Sequence, residues 1–240
     1  MNILAIGAHP DDIELNAAGT LAKFAKQGAT VFMATATNGN IGSATHTMEE
    51  IAAIRKEEAR KSAAIIGAEY ICLDYDDEMF FEDKQVRINF IDLVRYCKAD
   101  LILTHNPVDY NPDHELTSKI INDIAVMIPI PNIKTKNPPY DKIPQIYYWE
   151  TARGMGFIPT DYVDITDTFE TKKQMLAQHE SQRAWMKYNY KDAFAYDDAD
   201  FFEELIIMAR YRGLQCGVKY AEAFIRANDA FRMTARRELP

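Results

Sequence analysis

About four times in its first 105 residues the chain passes from a short apolar run into a longer amphipathic one, and no other feature narrows the fold as far. Residues 2–8 (NILAIGA) are continuously apolar, as suits a strand covered on both faces. Residues 17–27 carry Leu21, Phe24 and Ala25 at helical spacing, and Gly28 stops the run. Residues 30–37 (TVFMATAT) read as a second strand, closed by the turn Asn38-Gly39-Asn40. A charged amphipathic helix over 48–66, a short strand over 70–73, a helix over 86–97 and a strand over 101–104 continue the pattern. Such alternation predicts a mostly parallel, doubly wound α/β sheet.

Beyond residue 105 the spacing predicts a helix over 114–127, then five prolines (129, 131, 138, 139 and 144) that make 128–144 an extended surface loop. Strands are expected at 145–150, 163–165 and 220–225, and helices at 169–181 and 201–215. No repeat or linker interrupts the 240 residues, so residues 1–240 are expected to form one domain. A net charge of −9 argues against a nucleic-acid backbone or an anionic membrane as the main partner. No apolar run is long enough to span a membrane or to serve as a leader, and Cys72, Cys97 and Cys216 are too scattered for a disulfide framework. A cytoplasmic protein with three packing cysteines is the expectation.

Ligands of open α/β sheets bind beyond the carboxyl ends of the strands. Three polar clusters fall there: 9–14, 38–43 and 105–114. In the first, His9-Pro10-Asp11-Asp12 puts His9 and Asp12 three residues apart at a helix start, close enough to share one metal ion. The competing reading is that Asp11 and Asp12 merely cap the following helix. In the third cluster, His114 opens a helix at the same edge. Two histidines and one carboxylate leave a tetrahedral zinc one open position for water, the composition of a catalytic site. A nucleotide-binding reading fails on the missing GxGxxG and on acids where a pyrophosphate needs bare amides.

The segments AHPDDIE (8–14), GTLAK (19–23), TATNGNIGS (35–43), RKEEARKSAAIIGAE (55–69), PVDYNPDHELTS (107–118), HESQ (179–182) and YAEAF (220–224) together resemble a known family. It comprises the LmbE-like or PIG-L-like zinc-dependent N-acetylglucosaminyl deacetylases, including those of mycothiol and bacillithiol synthesis and the enzyme acting on N-acetylglucosaminyl-phosphatidylinositol. The resemblance implies a Rossmann-like fold and a metal-dependent hydrolase that removes an N-acyl group from an amino sugar or glycoconjugate. By position it implies His9, Asp12 and His114 as metal ligands and Asp11 as general base. It further implies Arg55 on the substrate's polar part and Asp113 orienting an imidazole. Zinc is the expected cofactor, with iron or another divalent metal admitted by the same ligands.

One position departs from the family. Asn111 stands where a histidine is usual, and Asn cannot act as a general acid, although it can donate a hydrogen bond to an oxyanion. Asn111 is therefore carried as a catalytic position, beside the alternative of a metal- or sugar-binding homologue with lost or much reduced hydrolase activity. Asn38 and Asp77 are assigned to the substrate side, Asp77 from an acidic, aromatic loop at the active edge whose bland reading is a solvated charge run. His46 is expected in a solvated turn. His105 is expected either in the pocket or as a buried hydrogen-bonded residue, and His179 in either a structural or a substrate contact. The aromatic stretch 185–202 suits a pocket cap or a subunit interface, and a homo-oligomer is expected.

Overall fold

The structure, a computed structural model, describes residues 1–189, 201–228 and 239–240. Most of the aromatic stretch 185–202 lies outside the described residues. The first half runs β1 (Asn2–Gly7), α1 (Asp12–Asn16), α2 (Ala18–Lys26), β2 (Thr30–Thr37), α3 (Met48–Ile65), β3 (Glu69–Tyr75), α4 (Lys84–Cys97) and β4 (Leu101–Thr104). The second half runs α5 (Pro112–Ile124), β5 (Gln145–Trp149), β6 (Asp161–Asp164), α6 (Phe169–Leu176), α7 (Glu180–Asn189), α8 (Phe201–Cys216) and β7 (Ala221–Arg226). One seven-stranded sheet has the order β3-β2-β1-β4-β5-β7-β6. The five strands from β3 to β5 are parallel, and β7 is antiparallel to both β5 and β6. The α/β expectation holds, with an antiparallel edge that alternation in the first half could not reveal.

Burial explains the continuous apolar strands. Ile3 and Ala5 of β1 join one core with Leu21 and Phe24 of α2 and with Phe169 and Leu176 of α6. Leu4 and Ile6 point the other way, into a second core with Phe90 and Val94 of α4 and Ile121 of α5. Helices thus cover both faces, and period-2 alternation puts an apolar residue on each. Among the described residues no helix is long and apolar enough to cross a membrane. Of the cysteines only Cys97 is fully buried; Cys72 is half-buried, and Cys216 is exposed, which corrects the packing reading for that residue.

Two boundaries differ for local reasons. The helix expected over 17–27 is preceded by the separate turn α1, broken at Ala17 (φ −137). The helix expected from 114 starts at Pro112, capped by Asn111, because proline's fixed φ and missing N–H suit a first helical position.

A buried pair ties the antiparallel edge to the start of α2. Glu222 of β7 accepts hydrogen bonds from the N–H groups of Gly19 (2.9 Å) and Thr20 (2.7 Å) and pairs with Lys172 Nζ (2.5 Å). Both side chains are 3% exposed. Lys172→Met leaves that carboxylate buried without its cation, so a loss of about 3–5 kcal/mol is expected in denaturant unfolding. The double variant Lys172→Met, Glu222→Gln is expected to recover part of it.

Candidate metal centre and active site

Strands β1 and β4 lie side by side, and their connections leave toward opposite ends of the sheet, β1 to β2 and β4 to β5. This is the topological switch point, where the diverging loops open a crevice. His9 follows β1 and His105 follows β4, and α5 then carries His114 back over the same edge.

The turn after β1 is strained. Asp11 has φ 115, a left-handed value that an L-residue with a side chain adopts at a cost. Asp11 stands at the N-cap of α1 but makes no side-chain capping bond, which corrects the capping reading for it. The Asp12 carboxylate closes the turn, its Oδ2 accepting the His9 backbone N–H at 2.7 Å.

His9, Asp12 and His114 converge, with one donor atom from each lying within 4.8 Å of the others. His114 Nε2 is 3.3 Å from His9 Nδ1 and 3.3 Å from Asp12 Oδ1. His9 Nδ1 is 3.5 Å from Asp12 Oδ2. Bonds of about 2.0–2.1 Å to a tetrahedral zinc separate adjacent donors by roughly 3.3–3.4 Å, which matches the distances of His114 Nε2 from His9 Nδ1 and from Asp12 Oδ1 and leaves room for one small cation. All three residues are less than a tenth exposed. Two buried imidazoles and a carboxylate are the donor set such an ion takes.

Outer carboxylates hold the rings. His114 Nδ1 is 3.0 Å from Asp109 Oδ1, whose side chain is 2% exposed. His9 Nε2 is 3.0 Å from Asp77 Oδ1 and 3.4 Å from Asp113 Oδ2. Asp113, expected to orient an imidazole, therefore faces His9, while the partner of His114 is Asp109, which the sequence reading missed. The signal for Asp109 was faint: an acid five residues ahead of His114 in the same polar cluster. Asp109→Ala is expected to weaken divalent-metal affinity by roughly 10–100-fold, because an outer-shell carboxylate fixes its ring's orientation and tautomer; competition with a chelating indicator measures this.

Electrostatics follow from the crowding. Burial works against protonated His9, but Asp113, Asp12 and Asp77 outweigh it and raise its pKa well above the ordinary value. Burial likewise opposes protonation of His114, and Asp12 with Asp109 lifts it to about 9. Burial favours the neutral form of Asp12, yet His114 and His105 hold it well below the usual carboxylate range. Asp11 is pushed up to about 7, by burial first and by the Asp12 charge, against the pull of Arg55. The pocket thus holds one strongly ionised carboxylate beside one poised near neutrality, the division that acid–base work requires.

The remaining expected residues fall into place unevenly. Arg55 is 2% exposed and spends its guanidinium on the protein itself. It donates to Pro10 O (2.7 Å) and Gly39 O (3.2 Å) and lies 3.4 Å from Asp11 Oδ1. In this arrangement it clamps the His9–Asp12 turn. Gly39, with φ +69, leaves the space that the guanidinium fills. Asp77 lies between His9 Nε2 and Arg55, whose NH1 is 3.7 Å away. Asn38 braces the neighbouring loop, donating to Asp74 Oδ1 (2.8 Å) and accepting from the Asn40 N–H (3.1 Å).

Asn111 is a helix cap: its Oδ1 accepts from the N–H groups of Asp113 (2.8 Å) and His114 (3.2 Å), and its Nδ2 donates to Glu78 Oε1 (2.6 Å). The sequence reading missed Glu78, a non-glycine at φ 61 whose own N–H donates to Asp113 Oδ2 (2.8 Å). His46 sits in the exposed turn, in contact with Ser43 and Thr45. His179 is fully buried with Nε2 3.1 Å from Glu14 Oε1, a contact within the protein. His105 is the buried, hydrogen-bonded residue of its two readings, and it also touches Asp12.

Residues 4–125 match the PIG-L family, described as GlcNAc-PI de-N-acetylase. Diacetylchitobiose deacetylase of Thermococcus kodakarensis is 26% identical over 231 residues, 92% of this chain and 80% of the relative. The structure of N,N'-diacetylchitobiose deacetylase from Pyrococcus horikoshii superposes with a TM-score of 0.78 at 25% identity, covering 94% of this chain and 83% of that one. A 4-oxalmesaconate hydratase of Pseudomonas putida is 26% identical over 182 residues, 70% of this chain and 69% of the relative.

Proposed function

The chain belongs to the PIG-L family, and from that premise we propose that it is a metal-dependent hydrolase that removes an N-acyl group, acetyl first of all, from an amino sugar or glycoconjugate. The observation that carries the reading is the convergence of His9, Asp12 and His114 beside a carboxyl, Asp11, held near neutrality. His9, Asp12 and His114 would hold the ion; zinc is the first choice, and iron or another divalent metal suits the same donors. When bound, such an ion supplies Lewis acidity toward a carbonyl oxygen and acidifies a water. Asp11 takes the proton of the attacking water and returns it to the amine nitrogen as the C–N bond breaks, an economical route in a chain whose Asn111 cannot carry one. Asp77 and Arg55 keep His9 and Asp11 in place, and the half-buried Glu78 carboxyl, bonded to Asn111, stands at the substrate side.

The deacetylases matched over most of the chain support an acetylated sugar as substrate. The test is amine release from diacetylchitobiose, N-acetylglucosamine and simple N-acetyl amides by zinc-loaded protein. Release from at least one, abolished by chelation and restored by metal, is expected; no release from any overturns the reading.

A second reading, hydration of a conjugated unsaturated acid, is favoured by one observation, the hydratase relative; such a reaction would add water across a C=C bond, with Asp11 taking the water's proton and returning it to carbon. Loss of the acid's ultraviolet absorbance, without amine release from the sugars, would establish it. For a binding homologue neither assay responds, and the intuitive rescue, Asn111→His, is compromised by the cap. It is expected to cost about 1 kcal/mol in thermal or denaturant unfolding, whereas Asn111→Asp, which keeps the acceptor, is expected to cost less.

A further inference from the structure

His105 lies one residue beyond β4 and is 1% exposed; Trp149, the last residue of β5, is fully buried beside it. The register Thr104↔Tyr148 of the two parallel strands sets these residues next to each other. Their rings meet edge to face at 4.8 Å, and Trp149 Nε1 lies 3.2 Å from His105 Nδ1. An indole N–H only donates, so Nδ1 must accept, and a neutral imidazole accepting at Nδ1 carries its hydrogen on Nε2. That Nε2 is 3.1 Å from Asp12 Oδ2.

The Ala8 N–H also points at Nε2, at 2.9 Å, so the Nε2–H form leaves this buried backbone donor facing another N–H. The opposite tautomer would satisfy Ala8 alone. It would aim two N–H groups at each other across the Trp149 contact and turn a lone pair toward a carboxylate. Two bonds, one of them to an ionised acceptor, outweigh one neutral bond.

We propose that His105 is a positioning residue. Locked by Trp149 into the Nε2–H form, it occupies Asp12 Oδ2 and so fixes Asp12 Oδ1 as the oxygen presented beside His114. Oδ2 already accepts the His9 N–H at 2.7 Å, and His105 completes its partners. Oδ1 then faces His114 Nε2 at 3.3 Å. The His105 ring also stacks on the His114 ring, with centroids 3.9 Å apart and planes at 20°, which limits rotation of the second imidazole. Trp149 is thus linked through His105 to the metal-facing carboxylate, and the inference rests on the metal reading of Asp12 and His114.

Two measurements on the full chain test it. In metal-free protein labelled with 15N-histidine, two-bond correlation spectra are expected to show His105 as the Nε2–H tautomer, and Trp149→Phe to mix in the other. In titrations with cobalt(II) and zinc, Trp149→Phe and His105→Leu are expected to bind roughly 10–100-fold more weakly, with an altered cobalt d–d band. His105→Gln is expected to stay within a few-fold of the parent, because its amide can accept from Trp149 and donate to Asp12. An Nδ1–H tautomer in the parent, or parental affinity and band shape in Trp149→Phe, overturns the proposal. If the parent binds neither ion, the metal reading falls, and the tautomer measured without metal still decides the Trp149–His105 link.

Discussion

Asp12→Asn is expected to leave the protein unable to retain one equivalent of divalent metal and to lower amide hydrolysis by at least ~10³-fold, since a catalytic ion contributes several kcal/mol to the barrier and each 1.36 kcal/mol is tenfold. The substitution is isosteric, so the effect is electronic. Oδ2 of Asp12 sits between two donors, the His9 backbone N–H at 2.7 Å and His105 Nε2 at 3.1 Å, while Oδ1 faces His114 Nε2 at 3.3 Å. An amide has one oxygen to place. With oxygen toward His9 and His105, its NH₂ points at His114 and offers no lone pair to a cation. Flipped, the NH₂ meets two donors in a buried site, an arrangement that costs the turn as well as the ion. Metal content after zinc loading and desalting, measured beside amine release, checks both halves. A variant that keeps its full equivalent of metal removes Asp12 from the site.

The distinction between the two oxygens of Asp12 shows what could be read from the chain and what could not. Strands β1, β2 and β4 were legible because buried parallel strands are apolar on both faces, and their ends located the crevice where His9 and His114 meet. Local spacing brought His9 and Asp12 together, since three residues across a turn at a helix start fix their proximity whatever the rest of the chain does. His105 was ambiguous because its role depends on register: only the β4–β5 pairing places Trp149 against it. Glu222 was equally hidden, because its partners Gly19 and Thr20 lie some two hundred residues away in sequence. The capping role of Asn111 was missed for another reason. Asn-Pro-Asp is a helix-start signature, with a cap residue, proline at the first helical position and an acid in the first turn. Comparison with a histidine-bearing pattern drew attention to the chemistry the residue lacks and away from the capping it performs.

Asp11→Asn is expected to separate metal binding from chemistry, lowering kcat by roughly 10²–10⁴-fold, the range for loss of a general base, while metal content stays at the parental level. Asp11 differs from Asp12 in every relevant contact. Its carboxylate makes no capping bond, and its named polar neighbour is Arg55, 3.4 Å away. Burial and the neighbouring Asp12 charge raise its pKa to about 7, against Arg55. The sign of the linked stability effect follows. A carboxyl whose folded pKa lies above its unfolded value disfavours ionisation in the folded state, so the native state loses stability as pH rises from the unfolded value toward the folded one and keeps that deficit above it. An asparagine bears no such charge. Metal-free Asp11→Asn is therefore expected to melt no lower than metal-free parent at pH 8, with the difference shrinking as pH falls toward 4, while its hydrolysis is crippled at every pH. The strained φ of 115 supports the same conclusion, because Asn tolerates left-handed backbone at least as well as Asp. A variant that is both inactive and markedly less stable at pH 8 would make Asp11 a structural residue of the turn; one that is stable, metal-replete and inactive leaves proton transfer as its role.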